Sequence, residues 1–79
     1  MKVAVKRKNE PQKLKIFTPF IRLDSALKLA NLVGSGGEAK TLIQEGFVKV
    51  NGEVCTMRGK KLVEGDSFSF EGYQFEITV

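Results

Sequence analysis

From Leu23 onward the apolar residues Leu23, Ala26, Leu27, Ala30 and Val33 recur at helical spacing, with Asp24, Lys28 and Asn31 elsewhere on the surface. This pattern predicts a first helix, with Gly34 as the residue that ends it. Ser35 then stands three residues before Glu38, the arrangement of a capping box. Its hydroxyl is placed to accept from the Glu38 amide while the carboxylate reaches back to the Ser35 amide. A second helix follows, with Ala39, Leu42 and Ile43 on its inner face and Gly46 as its left-handed stop. Two short helices joined by a glycine-containing turn make a helical hairpin.

After Gly46 the period changes. Phe47-Val48-Lys49-Val50 alternates as a strand and runs into Asn51-Gly52, the strongest short hairpin signal. In a two-residue register Cys55 shares a face with Val48 and Val50. Leu62-Val63 leads into a turn at Gly65-Asp66, and the chain closes with a hairpin about Glu71-Gly72. There Phe70 should face Tyr73 and Phe68 should face Phe75. Phe68, Phe70, Tyr73, Phe75 and Ile77 then share one face, leaving Ser69, Gln74 and Glu76 on the other. Upstream, Val3-Ala4-Val5 and Leu14-Lys15-Ile16-Phe17 are strand-like runs around Asn9-Glu10-Pro11 and predict an N-terminal hairpin. Pro19 breaks the chain before the first helix. The expected fold is α+β, a helical hairpin packed on a small, mostly antiparallel β-sheet.

A chain of 79 residues accommodates one domain, and its 42% hydrophobic content suffices for one core. The aromatic stripe of the last hairpin belongs in that core, leaving Phe17, Phe20 and Phe47 as the rings available to a partner. A single cysteine makes no internal disulfide. No apolar stretch is long enough to span a bilayer, and Met1–Val5 has a basic start without the hydrophobic segment of a signal peptide, so a cytoplasmic setting is expected. Without histidine the chain lacks the usual general base and metal ligand, which makes Cys55 a structural thiol. No catalytic residue, metal, cofactor or small-molecule substrate is expected, nor a membrane partner. Gly34-Ser35-Gly36-Gly37 opens a helix but lacks the Gly-Lys-Ser/Thr of a nucleotide loop. It reads either as a tight turn alone or as a turn whose amides also meet a phosphate.

Charge adds the direction. The formal net charge is +4, unevenly spread. Lys2, Lys6, Arg7, Lys8, Lys13 and Lys15 crowd the start, whereas only Glu64, Asp66, Glu71 and Glu76 carry charge after Lys61. Such segregation suggests a polarised field that steers an anionic partner. On the second helix Lys40 and Gln44 lie about 100–140° round from Ala39, with Glu38 and Glu45 on the opposite flank. Arg22 and Lys28 bracket the first helix. Arg58-Gly59-Lys60-Lys61 supplies long donors around a glycine, as phosphate tracking requires, although a solvated charged loop has the same composition.

These residues resemble the S-four RNA-binding domain family, named for the small-subunit ribosomal protein in which the domain occurs. The matching positions are Arg22-Leu23-Asp24 with Leu27, Ser35, Ala39-Lys40, Leu42-Ile43, Gly46, Val48-Lys49-Val50-Asn51-Gly52 and Val63-Glu64-Gly65-Asp66. Order and spacing agree over residues 22–66. This span forms the family-like core, flanked by a basic N-terminal segment (residues 1–18) and the aromatic hairpin (residues 67–79). Gly36 stands where the family usually has arginine. Gly-Gly-Glu-Ala-Lys and Arg-Gly-Lys-Lys-Leu resemble instead the small stand-alone bacterial branch, the YaaA/YbcJ type, in which Arg58, Lys60 and Lys61 would replace that charge. The resemblance implies an alpha-L fold and a partner that is structured RNA, ribosomal or transfer RNA, with ribosomal particles as its context in ribosome assembly or translation. The residues expected to meet RNA are Arg22, Lys28, Ser35, Gly36, Gly37, Lys40, Arg58, Lys60 and Lys61, with Lys49 a weaker candidate. A protein-interaction adaptor whose basic face docks an acidic partner is the alternative, and an enzyme the weakest reading.

Overall fold

The computed structural model describes residues 11–79. The chain runs through β1 (Pro11–Lys15), β2 (Ile21–Arg22), α1 (Leu23–Leu29), α2 (Gly36–Gln44), β3 (Val48–Val50), β4 (Glu53–Val54), β5 (Lys61–Leu62), β6 (Ser67–Phe70) and β7 (Tyr73–Thr78). Five strands form one sheet in the order β1-β7-β6-β3-β4, and β2 pairs with β5 in a separate two-stranded ribbon. All pairings are antiparallel except β1 with β7.

Both helices stop in the same way. The α2 helix ends with Gly46 at φ +85°, the Gly46 amide donating to Ile43 O and the Phe47 amide to Leu42 O. This is the Schellman arrangement, in which a left-handed residue turns two amides back onto the last carbonyls. The α1 helix ends earlier than its apolar pattern suggests. Asn31, at φ +62°, takes the left-handed position, and the amides of Asn31 and Leu32 donate to Lys28 O and Leu27 O. Gly34 is therefore not the stop. Asparagine tolerates the left-handed region better than other non-glycine residues, and Leu32 packs against the core beyond it.

The capping box forms with one change of partner. The Glu38 amide donates to Ser35 Oγ at 3.2 Å, as expected, but the Glu38 carboxylate accepts from the Gly34 amide at 2.9 Å rather than from that of Ser35. The inter-helix turn is thus tied from both sides.

The hairpins take the expected registers. Asn51 and Gly52 have φ of +51° and +89°, Glu71 and Gly72 +53° and +86°, as two-residue turns matching strand twist require. Phe68 pairs with Phe75 and Phe70 with Tyr73, and the Phe68 and Phe75 rings stack at 5.3 Å. These rings belong to one core with Leu23, Ala26, Leu27, Ala39, Ile43, Val48, Leu62 and Ile77, while Leu42 and Cys55 are only partly buried against it. Fully burying side chains of the Leu, Ile or Phe kind stabilises by about 1.5–3 kcal/mol each, which makes this cluster the main favourable contribution to the fold.

The start of the described chain departs from expectation. Val3–Val5 lies outside the described residues, and the strand containing Leu14 runs parallel to β7, Leu14 opposite Ile77. One consequence is electrostatic: Lys13 meets Glu76 at 3.1 Å. This pair joins one lysine of the basic beginning to one carboxylate of the acidic end; Lys2, Lys6, Arg7 and Lys8 lie outside the described residues. Asp66 is likewise engaged, its carboxylate accepting from the Val63 amide at 2.9 Å and from Asn51 Nδ2 at 3.3 Å.

Candidate nucleic-acid interface

The α1 helix begins without a side-chain cap, because its N-cap is Arg22. A helix start leaves amides that need acceptors, and here a distant loop supplies them. The Leu23 amide donates to Lys60 O at 2.8 Å and the Asp24 amide to Arg58 O at 3.1 Å. The next amide, that of Ser25, donates to Asp24 Oδ1 at 2.8 Å. The Arg58–Lys61 connection is therefore fastened to the helical hairpin by its carbonyls. Its side chains play no part in that attachment and remain exposed.

The same attachment gathers the cations. Arg22 pairs with Lys61 across the β2–β5 ribbon, and Ile21 with Leu62. Leu62 is fully buried and Ile21 packs on the core, so the alternation of the strands turns Arg22 and Lys61 outward. The Arg22 guanidinium lies beside Gly59, where an added Cβ would stand 3.8 Å from Nη2. Arg22 and Lys61 thus share one surface, and the backbone of Arg58 and Lys60 is held beside it, although a long stretch of sequence separates Arg22 from the loop. Asp24 contacts Arg22 Nη2 through Oδ2 at 3.3 Å. Arg22 is half exposed while Asp24 is largely covered, so this pair orients the guanidinium more than it stabilises the fold.

The other expected residues are placed differently. Lys40 is exposed on α2, in the turn that follows Gly36 and Gly37. Ser35 is committed to its cap. Among the described residues no group accepts from the amides of Gly36 and Gly37, and neither glycine has positive φ. A Cβ at Gly36 would meet nothing within 4 Å, and one at Gly37 only Ser35 Oγ at 4.0 Å. The turn itself therefore does not require glycine at either position for steric or dihedral reasons. Lys28 lies in the last turn of α1, at the far end from the basic loop, where it also favours the helix dipole. Lys49 points away from the buried Val48 and Val50, onto the open face of the sheet. It is not part of the cationic cluster.

Sequence reasoning missed the two-stranded ribbon, whose strands are too short to signal themselves, and the capping of α1 by backbone rather than side chain. The absence of Ser, Thr, Asp or Asn at position 22 was the available hint.

The S4 domain family model matches residues 14–78, well beyond the span read from motifs alone. The chain is 43% identical over 60 residues to the Bacillus subtilis (strain 168) protein named "Probable ribosome maturation protein RlbA", covering 76% of this chain and 84% of that protein. It is 41% identical over 59 residues to the Escherichia coli (strain K12) protein named "Putative RNA-binding protein YbcJ", covering 75% and 84% respectively. The solution structure of E. coli YbcJ, described as revealing an alpha-L motif involved in RNA binding, superposes with a TM-score of 0.68 at 32% identity, covering 99% of this chain and 100% of that one. By sequence and by fold, this chain belongs to the S4 domain family.

Proposed function

We propose that this protein is a non-enzymatic RNA-binding protein that grips structured RNA, ribosomal or transfer RNA, and acts in ribosome assembly or translation. The observation that carries the reading is the convergence of Arg22 with the Arg58–Lys61 loop at the start of α1. Long cationic side chains on a fixed backbone suit phosphate oxygens, and arginine adds paired donors. Arg22, Arg58, Lys60 and Lys61 engage the sugar–phosphate backbone. Lys40 and the open amides of Gly36 and Gly37 engage it along α2, with Ser35 setting the turn. Lys28 reaches only RNA that extends along the helical hairpin. The names borne by RlbA and YbcJ support RNA as the partner and ribosome maturation as the setting. No helix among the described residues is long and apolar enough to cross a membrane, and a cytoplasmic site of action accords with the rest.

The test is a salt titration of the Arg58/Lys60/Lys61 triple-alanine variant on a ribosomal RNA fragment. The variant should fold, because the loop holds α1 through carbonyls. Its affinity should fall on every RNA sequence alike, and its salt slope should drop by about one for each phosphate that is no longer neutralised. An unchanged slope and affinity would move the interface elsewhere. A parent protein without RNA affinity would favour an adaptor that docks an acidic protein.

A further inference from the structure

The outward face of the β2–β5 ribbon carries an aromatic ring as well as cations. Phe20 precedes Ile21 and falls on the same side as Arg22. It is 40% exposed, and Lys61 Nζ sits 4.8 Å above its ring centroid. Its backbone is held in place: Thr18 Oγ1 donates to Phe20 O at 2.7 Å, and Pro19 fixes the intervening turn. Phe17, on the same connection, is 87% exposed with Lys15 Nζ 5.6 Å from its ring. The core cluster includes neither ring, so packing does not account for them. An ammonium over an exposed ring is a modest cation–π contact, yet it keeps a ring face and a cation within one nucleotide's reach of Arg22, whose Cα lies directly across from that of Lys61.

We propose that Phe20 is the stacking platform for one unpaired nucleobase, whose flanking phosphates are taken by Lys61 and Arg22. The site rests on the RNA-binding reading and sharpens it, since the preferred RNA is then a helix that carries an unpaired nucleotide beside the segment gripped by the basic loop. In the free protein the Lys61 ammonium covers the ring. When RNA binds, the ammonium shifts to a phosphate and the base takes its place on the ring face. Stacking is indifferent to base identity, because every base has a π-face. Such a site therefore reads the presence of an unpaired base rather than its sequence, as suits a protein whose remaining contacts follow the backbone.

The protein has no tryptophan, so Phe20→Trp installs a single fluorescent reporter at the site. Binding would be compared on two RNA hairpins that are identical except for a single-nucleotide bulge in one of them. The parent and Phe20→Trp should prefer the bulged hairpin by about tenfold. The tryptophan should be quenched by the bulged hairpin and little affected by the paired one. Phe20→Leu, which keeps an apolar side chain without a stacking face, should lose the preference and retain the affinity and salt slope on the paired hairpin. Equal affinity of the parent for both hairpins would overturn the stacking site while leaving RNA binding intact. So would a Phe20→Leu variant that weakens both hairpins alike, which would assign the ring a structural role. Failure of the parent to bind either hairpin would overturn the RNA-binding reading together with the site.

Discussion

Gly36 and Gly37 offer a test in which stability and binding move in opposite directions. In a helix, alanine is favoured over glycine by about 0.5–1 kcal/mol, because glycine loses more backbone freedom on folding. The gain is realised only where the new methyl has room and φ is ordinary, and both conditions hold at these two positions. Allowing for their place in the first turn, Gly36→Ala and Gly37→Ala together should stabilise the protein by about 1 kcal/mol. For a domain of this size that raises Tm by about 4–8 °C. The same two methyls stand beside amides that no group of the described protein uses. A hydrogen bond from such an amide to a charged phosphate contributes about 1.5–3 kcal/mol, so losing one should weaken RNA binding by about 10–100-fold. Because an amide carries no net charge, the slope of affinity against salt should stay as in the parent. Lys40→Ala, by contrast, should lower that slope by about one. Thermal melts and salt-dependent binding on one ribosomal RNA fragment read all these quantities. A more stable double variant that binds as tightly as the parent would show that the amides do not touch RNA. A less stable one would refute the steric argument itself.

Two further outcomes test the packing. Asn51 and Asn31 both occupy the left-handed region, but only Asn51 also bonds through its side chain, accepting from the Ser67 amide at 2.9 Å and donating to Asp66 at 3.3 Å. Asn31→Gly should be nearly neutral and Asn51→Gly should cost about 2 kcal/mol; equal urea midpoints for the two variants would show that these side-chain bonds contribute nothing. Cys55 is half-buried, and its thiol lies 3.7 Å from Met57 O. Cys55→Val should therefore keep RNA affinity and stability within about 1 kcal/mol of the parent, whereas a folded variant without RNA affinity would give the thiol a functional role.

The sequence alone determined the features that depend on neighbouring residues. Gly46 could be assigned as a helix stop and Gly52 and Gly72 as marks of two-residue turns because left-handed backbone favours glycine and, at position 51, asparagine. Glu71, by contrast, is carried into that region by the turn it shares with Gly72. The paired registers of Phe68 with Phe75 and Phe70 with Tyr73 followed from strict alternation about a turn of fixed length. The motif order from Arg22 to Asp66 carried the family. Asn51 and Asp66, which belong to that motif, turn out to lock the hairpin to the turn before β6, a contact between segments that local patterns do not encode. The structure alone decided what distant segments do to one another. The parallel pairing of β1 with β7 brings Lys13 to Glu76, a contact between the two ends of the described chain that no local pattern encodes. The carbonyls of Arg58 and Lys60 replace a side-chain cap on α1 and so draw the basic loop to Arg22. A backbone carbonyl has the same chemistry at every residue. Where it is spent is set by the fold, and for that reason the gathering of the cationic surface had to be seen in three dimensions.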